Sequence, residues 1–235
     1  MNSSKKSILN SNFTYLAAFV LPVIMMMALY YTRGIFPWGN ECYLRSDMYH
    51  QYAPFFSELW HKIRNGESLT YSWNIGMGTN FTSLFAYYLA SPSNWFVALF
   101  PQKYTIEIMN AFIILKIAGS SLSLTYYLTK HNNNKHVIAA IFGMFYGMSG
   151  FIAAYSWNIM WLDCVILIPL IMLGLERLVN ENRCIFYCIT LGLCIFTNYY
   201  IAIMVCLSVV IYYVVLMIAY NGIKSPMQYV KKFIN

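Results

Sequence analysis

Residues 200–220 read Tyr200-Ile-Ala-Ile-Met-Val-Cys-Leu-Ser-Val-Val-Ile-Tyr-Tyr-Val-Val-Leu-Met-Ile-Ala-Tyr220, with no charged side chain. A helix rises ~1.5 Å per residue, so such a stretch reaches across the ~30 Å hydrocarbon layer of a bilayer. Further apolar stretches lie at about 13–32, 105–129, 137–155, 163–179 and 184–198. Hydrophobic residues make up 60% of the chain, aromatics 18% and charged residues 10%, against roughly 25% charge in a soluble domain. A soluble core of this size has no room for so many apolar stretches. The sequence therefore predicts an all-α membrane protein, a polytopic transmembrane helix bundle of about six spans.

The net charge of +7 does not indicate nucleic acid, because no basic stripe with interleaved aromatics accompanies it. The basic residues gather at span ends, where they set orientation. Lys5 and Lys6 place the N-terminus in the cytoplasm, and alternation then puts Lys130 and Lys135, Arg177 and Arg183, and Lys224, Lys231 and Lys232 on the same side. The short turn 156–162, assigned to the outer face, carries no basic residue. The long segment 33–104 carries several, but long loops translocate largely regardless of charge. The apolar run Phe13–Tyr31 is too long for a secretory h-region and lacks a small-x-small cleavage site, so it reads as a retained signal-anchor. The cysteines Cys42, Cys164, Cys184, Cys188, Cys194 and Cys206 fall mostly inside spans, without C-x-x-C or histidine at ligand spacing; they read as small packing residues, with no metal site.

Within 33–104, Ser46 or Asp47 can cap a helix running to about Asn65, with Tyr49, Tyr52, Phe56, Leu59 and Ile63 at helical spacing; it is expected to lie along the outer interface. Ser83–Phe100 is apolar but interrupted by Ser91-Pro92-Ser93-Asn94, which predicts a re-entrant or interfacial element. Only Thr197-Asn198-Tyr199-Tyr200 separates the last two spans, so a tight outer hairpin and a break within the membrane both fit. Residues 1–235 read as one transmembrane domain, and the ending on Lys231-Lys232-Phe233-Ile234-Asn235 as that of an N-terminal portion of a longer protein.

The chain's two aspartates, Asp47 and Asp163, both fall at the expected outer face, and a carboxylate at a bilayer rim is costly. Asp47, in Ser46-Asp47-Met48-Tyr49-His50-Gln51-Tyr52, suits a base that activates an acceptor hydroxyl; the structural alternative is a helix N-cap. Asp163 follows Trp157, Asn158 and Trp161. Two Trp rings four apart can stack on a sugar while Asp163 and Asn158 hydrogen-bond hydroxyls or assist a metal, or they can form an aromatic belt with Asp163 as a cap. Lys116 lies about eleven residues into the second span, where an ammonium faces a bundle interior or an aqueous cavity; it can pair with a phosphate of a lipid-linked donor, or form a structural pair with an acidic group that need not lie within these 235 residues. His50 and Gln51 suit binding of phosphate or sugar, whereas His61, His131 and His136 carry no such pattern. Tyr71–Phe81, with Gly76 and Gly78, fits an outer loop approached closely by ligand, and is neither a Walker nor a dinucleotide motif.

Several pieces in order carry a resemblance: Asp47-Met48-Tyr49-His50-Gln51-Tyr52-Ala53-Pro54-Phe55, Tyr71-Ser72-Trp73-Asn74 with Gly76-Met77-Gly78-Thr79-Asn80, and Tyr87-Tyr88-Leu89-Ala90-Ser91-Pro92-Ser93-Asn94. Tyr155–Asp163, Gly174-Leu175-Glu176 and Thr197-Asn198-Tyr199-Tyr200 complete the set. Together they resemble the bacterial YfhO family, from about residue 10 to the end. The resemblance implies a GT-C-like glycosyltransferase of the bacterial cytoplasmic membrane. Such an enzyme moves a sugar from a polyprenyl-phosphate donor to an extracytoplasmic acceptor, a cell-surface polymer such as lipoteichoic acid. It also implies a catalytic acid in the first outer loop, matching Asp47, and a second acid later, for which Asp163 is the counterpart. YfhO-like proteins are several times longer than this chain. Two other classes fit the same residues: a transporter or flippase of lipid-linked polymer, with Lys116 and the 197–200 break lining a pathway, and a non-catalytic membrane subunit whose acids merely cap helices.

Overall fold

The computed structural model describes residues 2–133 and 137–221, with side chains over 12–133 and 137–219. Lys135, His136, Lys224, Lys231 and Lys232 lie outside the described residues, as do the side chains of Lys5 and Lys6. Helix α1 (Asn2–Thr32) holds Pro22 inside its span. A π-helical turn, Met48–Tyr52, leads into α2 (Ala53–Asn65). A hairpin of β1 (Tyr71–Ser72) and β2 (Thr79–Asn80) follows, pairing Tyr71 with Asn80. Then come α3 (Phe81–Leu84), a second π-helical turn at Phe85–Leu89 and a 3₁₀ helix at Pro92–Leu99. The bundle is completed by α4 (Thr105–His131), α5 (Val137–Gly147), α6 (Gly150–Tyr155), α7 (Leu162–Glu181), α8 (Ile185–Thr197) and α9 (Tyr199–Asn221).

Among the described residues, four stretches are long and apolar enough to cross a membrane: Asn12–Thr32, Gln102–His131, Val137–Tyr155 and Tyr199–Ala219. The other two expected spans are helical but fall short of that standard for different reasons. α8 is apolar and only 13 residues long, and α7 carries Asp163, Glu176, Arg177 and Glu181. Length and apolarity by themselves thus account for four of the expected spans.

Side-chain contacts fix the direction of each helix. Tyr15 bonds Thr129 at 2.8 Å and Ser121 donates to the Ala18 carbonyl at 2.6 Å, so α1 runs antiparallel to α4. Lys116 meets Asp163 and Tyr127 meets Glu176, so α7 runs parallel to α4. Tyr212 also donates to Glu176, while Cys164 lies 3.8 Å from the Asn198 carbonyl, so α9 runs parallel to α7. α8 returns between them, with Tyr187 against Gly174 and Cys194 near Cys164. The chain therefore reverses direction at the α8–α9 junction.

The closest helix contact is built from small residues. α5 carries Gly143 and Gly147, four apart, against Ser121 and Thr125 of α4. A Cβ on Gly143 would strike Thr125 Oγ1 and the Ser121 carbonyl, and one on Gly147 would sit 2.8 Å from the Ile117 carbonyl. Glycines at this spacing let two helix backbones approach inside a membrane, where packing takes over from the hydrophobic effect. Gly143→Ala is therefore expected to destabilise the protein in detergent by about 1–3 kcal/mol, the usual cost of overpacking. Gly192→Ala on α8, where an added Cβ meets nothing within 4 Å, is the control and should melt like the wild type.

Segment 33–104 covers one end of this bundle. The expected helix ends at Asn65 as read, because Gly66 takes a left-handed conformation (φ 66) and its N–H closes on the Lys62 carbonyl. Phe56 and Leu59 of α2 are fully buried in the core with Met109 and Ile113 of α4. Ser83–Phe100 does not form one continuous helix: it is two short pieces broken at Ala90 and Ser91. The glycine-rich loop is tied down from beneath by α2. The buried Glu58 carboxylate accepts from Ser72 Oγ (2.6 Å) and Asn74 Nδ2 (3.0 Å), and Lys62 Nζ donates to the Tyr71 (2.8 Å) and Ser68 (3.0 Å) carbonyls. Lys62 also lies 3.6 Å from Glu58.

Burial alone would raise the Glu58 pKa, but the Ser72 and Asn74 hydrogen bonds and the Lys62 charge together outweigh it and hold the carboxyl below its ordinary value. A depressed carboxyl contributes stability that is present above the unfolded pKa, ~4.3 for Glu, and lost as pH falls through the folded value. Acidification below about pH 4 is therefore expected to loosen residues 68–80 selectively, read as faster amide exchange. Glu58→Gln should flatten that dependence.

Candidate functional site

The turn 156–162 is buried, although a short outer turn would be expected at the surface. Ser156, Asn158, Ile159, Met160 and Leu162 are at most 2% exposed, because segment 33–104 closes over them. Tyr43 bonds Ser156 at 2.6 Å, and Tyr52 Oη donates to Asn158 Oδ1 at 2.9 Å. The Tyr52 ring stacks on Trp157, with centroids 6.2 Å apart and planes within 10°.

Around this contact the rings of four separate segments meet. Tyr88 lies 5.4 Å from Tyr52 and 4.6 Å from Tyr87. Tyr87 reaches Tyr199 and Tyr200, and Tyr200 stacks on Trp161 at 6.2 Å. Asn198 locks the fourth segment in place: its Nδ2 donates to the Tyr87 carbonyl (3.0 Å) and its Oδ1 accepts from the Ile201 N–H (2.9 Å), capping α9. Two polar groups in this cluster remain unpartnered while buried, Asn158 Nδ2 and Trp161 Nε1.

Asp47 sits at the exposed edge of the cluster. It precedes the first π-helical turn with helical backbone angles (φ −61, ψ −21) and makes no capping hydrogen bond. The kink ahead of it comes from Ser46, which is left-handed at φ 47. Burial comes first and the Asp47 charge second in holding the Tyr52 phenol well above its usual pKa. Tyr52 therefore stays protonated and donates to Asn158. Burial likewise raises Tyr88, with Tyr87 and Asp47 adding to it. Gln51 accepts a long bond, 3.4 Å, from Tyr88. His50 is exposed and packs edge-on against Tyr49 at 5.3 Å, outside the ring cluster.

Asp163 is no cap either, since it lies inside α7, whose N-cap residue is Trp161. Its Oδ2 takes the Lys116 ammonium at 2.6 Å, and Lys116 also donates to the Ile159 carbonyl at 3.2 Å. Lys116 thus pairs with an acid of the chain itself. The Lys116 side chain is buried, 5% exposed, and that of Asp163 is partly buried, 14% exposed. The pair holds the 156–162 turn from below while Tyr52 holds it from above. Tyr52 and Asp163 are thus linked through the turn, by the Tyr52 bond to Asn158 and the Lys116 bonds to Ile159 and Asp163. Among the described residues no three His, Cys, Asp or Glu side chains gather as a metal site.

Among protein-family models, that of the bacterial membrane protein YfhO matches residues 17–235. This chain belongs to the YfhO family. No curated protein and no solved structure matches it. The pieces that suggested the YfhO resemblance now have physical roles. Tyr52, Tyr87, Trp157, Trp161, Asn198 and Tyr200 build one cluster. Gly174 admits the Tyr187 backbone, whose N and Cα lie 2.9 and 2.8 Å from a built Cβ. Glu176, two residues on, accepts from Tyr127 (2.8 Å), Tyr212 (2.5 Å) and His131 (2.9 Å) at the far end of the bundle. Sequence reasoning placed Tyr52 only on a helix face and missed its bond to Asn158, and it assigned His131 no partner. No local spacing announces a contact between residues so far apart in the chain.

Proposed function

We propose that this protein is a membrane glycosyltransferase of GT-C type, moving a sugar from a polyprenyl-phosphate donor to an extracytoplasmic cell-surface polymer such as lipoteichoic acid. One observation carries the reading: an exposed, uncapped Asp47 stands beside a cluster of Tyr and Trp rings that also holds a buried amide donor, Asn158 Nδ2, without a partner. Ring faces suit stacking on a sugar, and a buried donor left unpaired suits an oxygen brought by ligand. Asp47 removes the proton of the acceptor hydroxyl; that oxygen attacks the sugar C1 with inversion. The C1–O bond to phosphate breaks, and its electron pair leaves on the polyprenyl phosphate. Asn158, Trp157 and Trp161 orient the sugar, and His50 and Gln51 border the polar edge where phosphate or acceptor enters. Asp163 acts as a positioning residue, holding the turn through Lys116, whose charge it balances.

The proposed topology has six spans, a cytoplasmic N-terminus and Asp47 and Asp163 toward the outside. The alternating helix directions support it, as do Lys130, Arg177 and Arg183 at one end and the absence of basic residues from turn 156–162 at the other. Transport of a lipid-linked polymer is less well supported. At the 197–200 junction it would need as a pathway, Asn198 is fully buried and both its amide atoms are bonded.

Membrane vesicles carrying the full-length protein and a labelled polyprenyl-phosphate sugar test the proposal. Label should pass to polymer in proportion to the protein present. Movement of intact lipid-linked material across the bilayer without release of polyprenyl phosphate would contradict transfer.

A further inference from the structure

A second crevice opens at the same end of the bundle, between α1, α4 and the junction of α5 and α6. Its volume is about 220 Å³, and Met26, Leu29, Ile117 and Ile152 form its apolar walls. Two arginines, Arg33 and Arg45, also line it, and no carboxylate does. Among the described residues neither arginine is in an ion pair. Arg33 sits just past the end of α1, and Met26 lies seven residues before it, so the apolar floor reaches roughly 10 Å below the charges at ~1.5 Å per residue. Tyr43, bonded to Ser156, forms the wall shared with the aromatic cluster.

Two guanidiniums over an apolar slot match a molecule with an anionic head and a single hydrocarbon chain. Arginine forks onto phosphate oxygens with paired hydrogen bonds. A phosphate monoester carries about −1.5 to −2 at pH 7, so it balances two arginines where a diester, with one charge, leaves the second unmatched. A volume of about 220 Å³ leaves room for the first few methylenes of one chain.

We infer that the Arg33–Arg45 crevice binds the head and proximal chain of a lipid phosphate monoester. The inference needs no transfer chemistry, since binding is read without turnover. The full-length protein in neutral detergent is titrated, with native mass spectrometry as readout, against polyprenyl monophosphate and three single-chain lipids, oleoyl lysophosphatidic acid, oleoyl lysophosphatidylglycerol and oleoyl lysophosphatidylcholine. The two monoesters should bind at least about tenfold tighter than the diester and the zwitterion, a difference of ~1.4 kcal/mol. Their relative affinity shows whether an isoprenoid or a single acyl chain is the natural occupant. R33Q/R45Q should lose that preference. Ala153→Trp, which fills the crevice and leaves both charges, should lower monoester binding as well, while R183Q, at the far end of the bundle, should not. Equal binding of monoester and diester, or full binding by a monodisperse R33Q/R45Q or Ala153→Trp protein, would overturn the inference.

Discussion

Lys116→Met is expected to destabilise the protein by about 3–5 kcal/mol, the cost of removing one partner from a buried ion pair. The reason lies in what Asp163 is left with. Its carboxylate is 14% exposed and Lys116 is its one ion-pair partner among the described residues. Without the ammonium the charge must stay desolvated or take up a proton, and the Ile159 carbonyl loses its donor. For a chain of this size that cost lowers the melting temperature by roughly 10 °C. The double variant Lys116→Met/Asp163→Leu should recover most of the loss, because replacing both members of a buried pair with apolar groups is often close to neutral. A Lys116→Met protein that melts like the wild type would show that the pair does not hold the 156–162 turn.

Asp47→Asn is expected to lower sugar transfer by about 10²–10⁴-fold, the range for loss of a general base, while leaving the fold intact. The two halves of that statement rest on the same geometry. Asp47 is exposed and makes no capping bond, so its charge contributes no hydrogen bond to the start of the π-helical turn. Asparagine keeps the shape and polarity and cannot take the proton. Tyr52→Phe separates positioning from proton transfer: it removes the bond to Asn158 Oδ1 and keeps the ring on Trp157, so it should weaken transfer less than Asp47→Asn does.

The boundaries of α4, the end of α6 and the start of α9 were legible because their apolar stretches are long and bounded by polar or basic residues, and the end of α2 because Gly66 follows Asn65. The site was legible in its parts and not in its assembly. Asp47, Asn158, Trp157 and Trp161 stand out as polar or aromatic residues beside apolar runs. That Tyr52 bonds Asn158 across a separation of 106 residues is a consequence of how segment 33–104 folds over the bundle, and no local period encodes it. The same holds for Lys116 and Asp163, each recognisable as an unusual charge, whose pairing depends on α4 and α7 running parallel. Only the Gly143–Gly147 contact had a local signal, glycines four apart in an apolar helix.

The measurement that bears most directly on the account compares wild type with Asp47→Asn in transfer of labelled sugar from polyprenyl phosphate to surface polymer, with the full-length protein and at matched membrane abundance. The account predicts loss of incorporation at equal abundance. Retained incorporation would contradict it and leave Asp47 an exposed surface charge beside an aromatic cluster with another purpose.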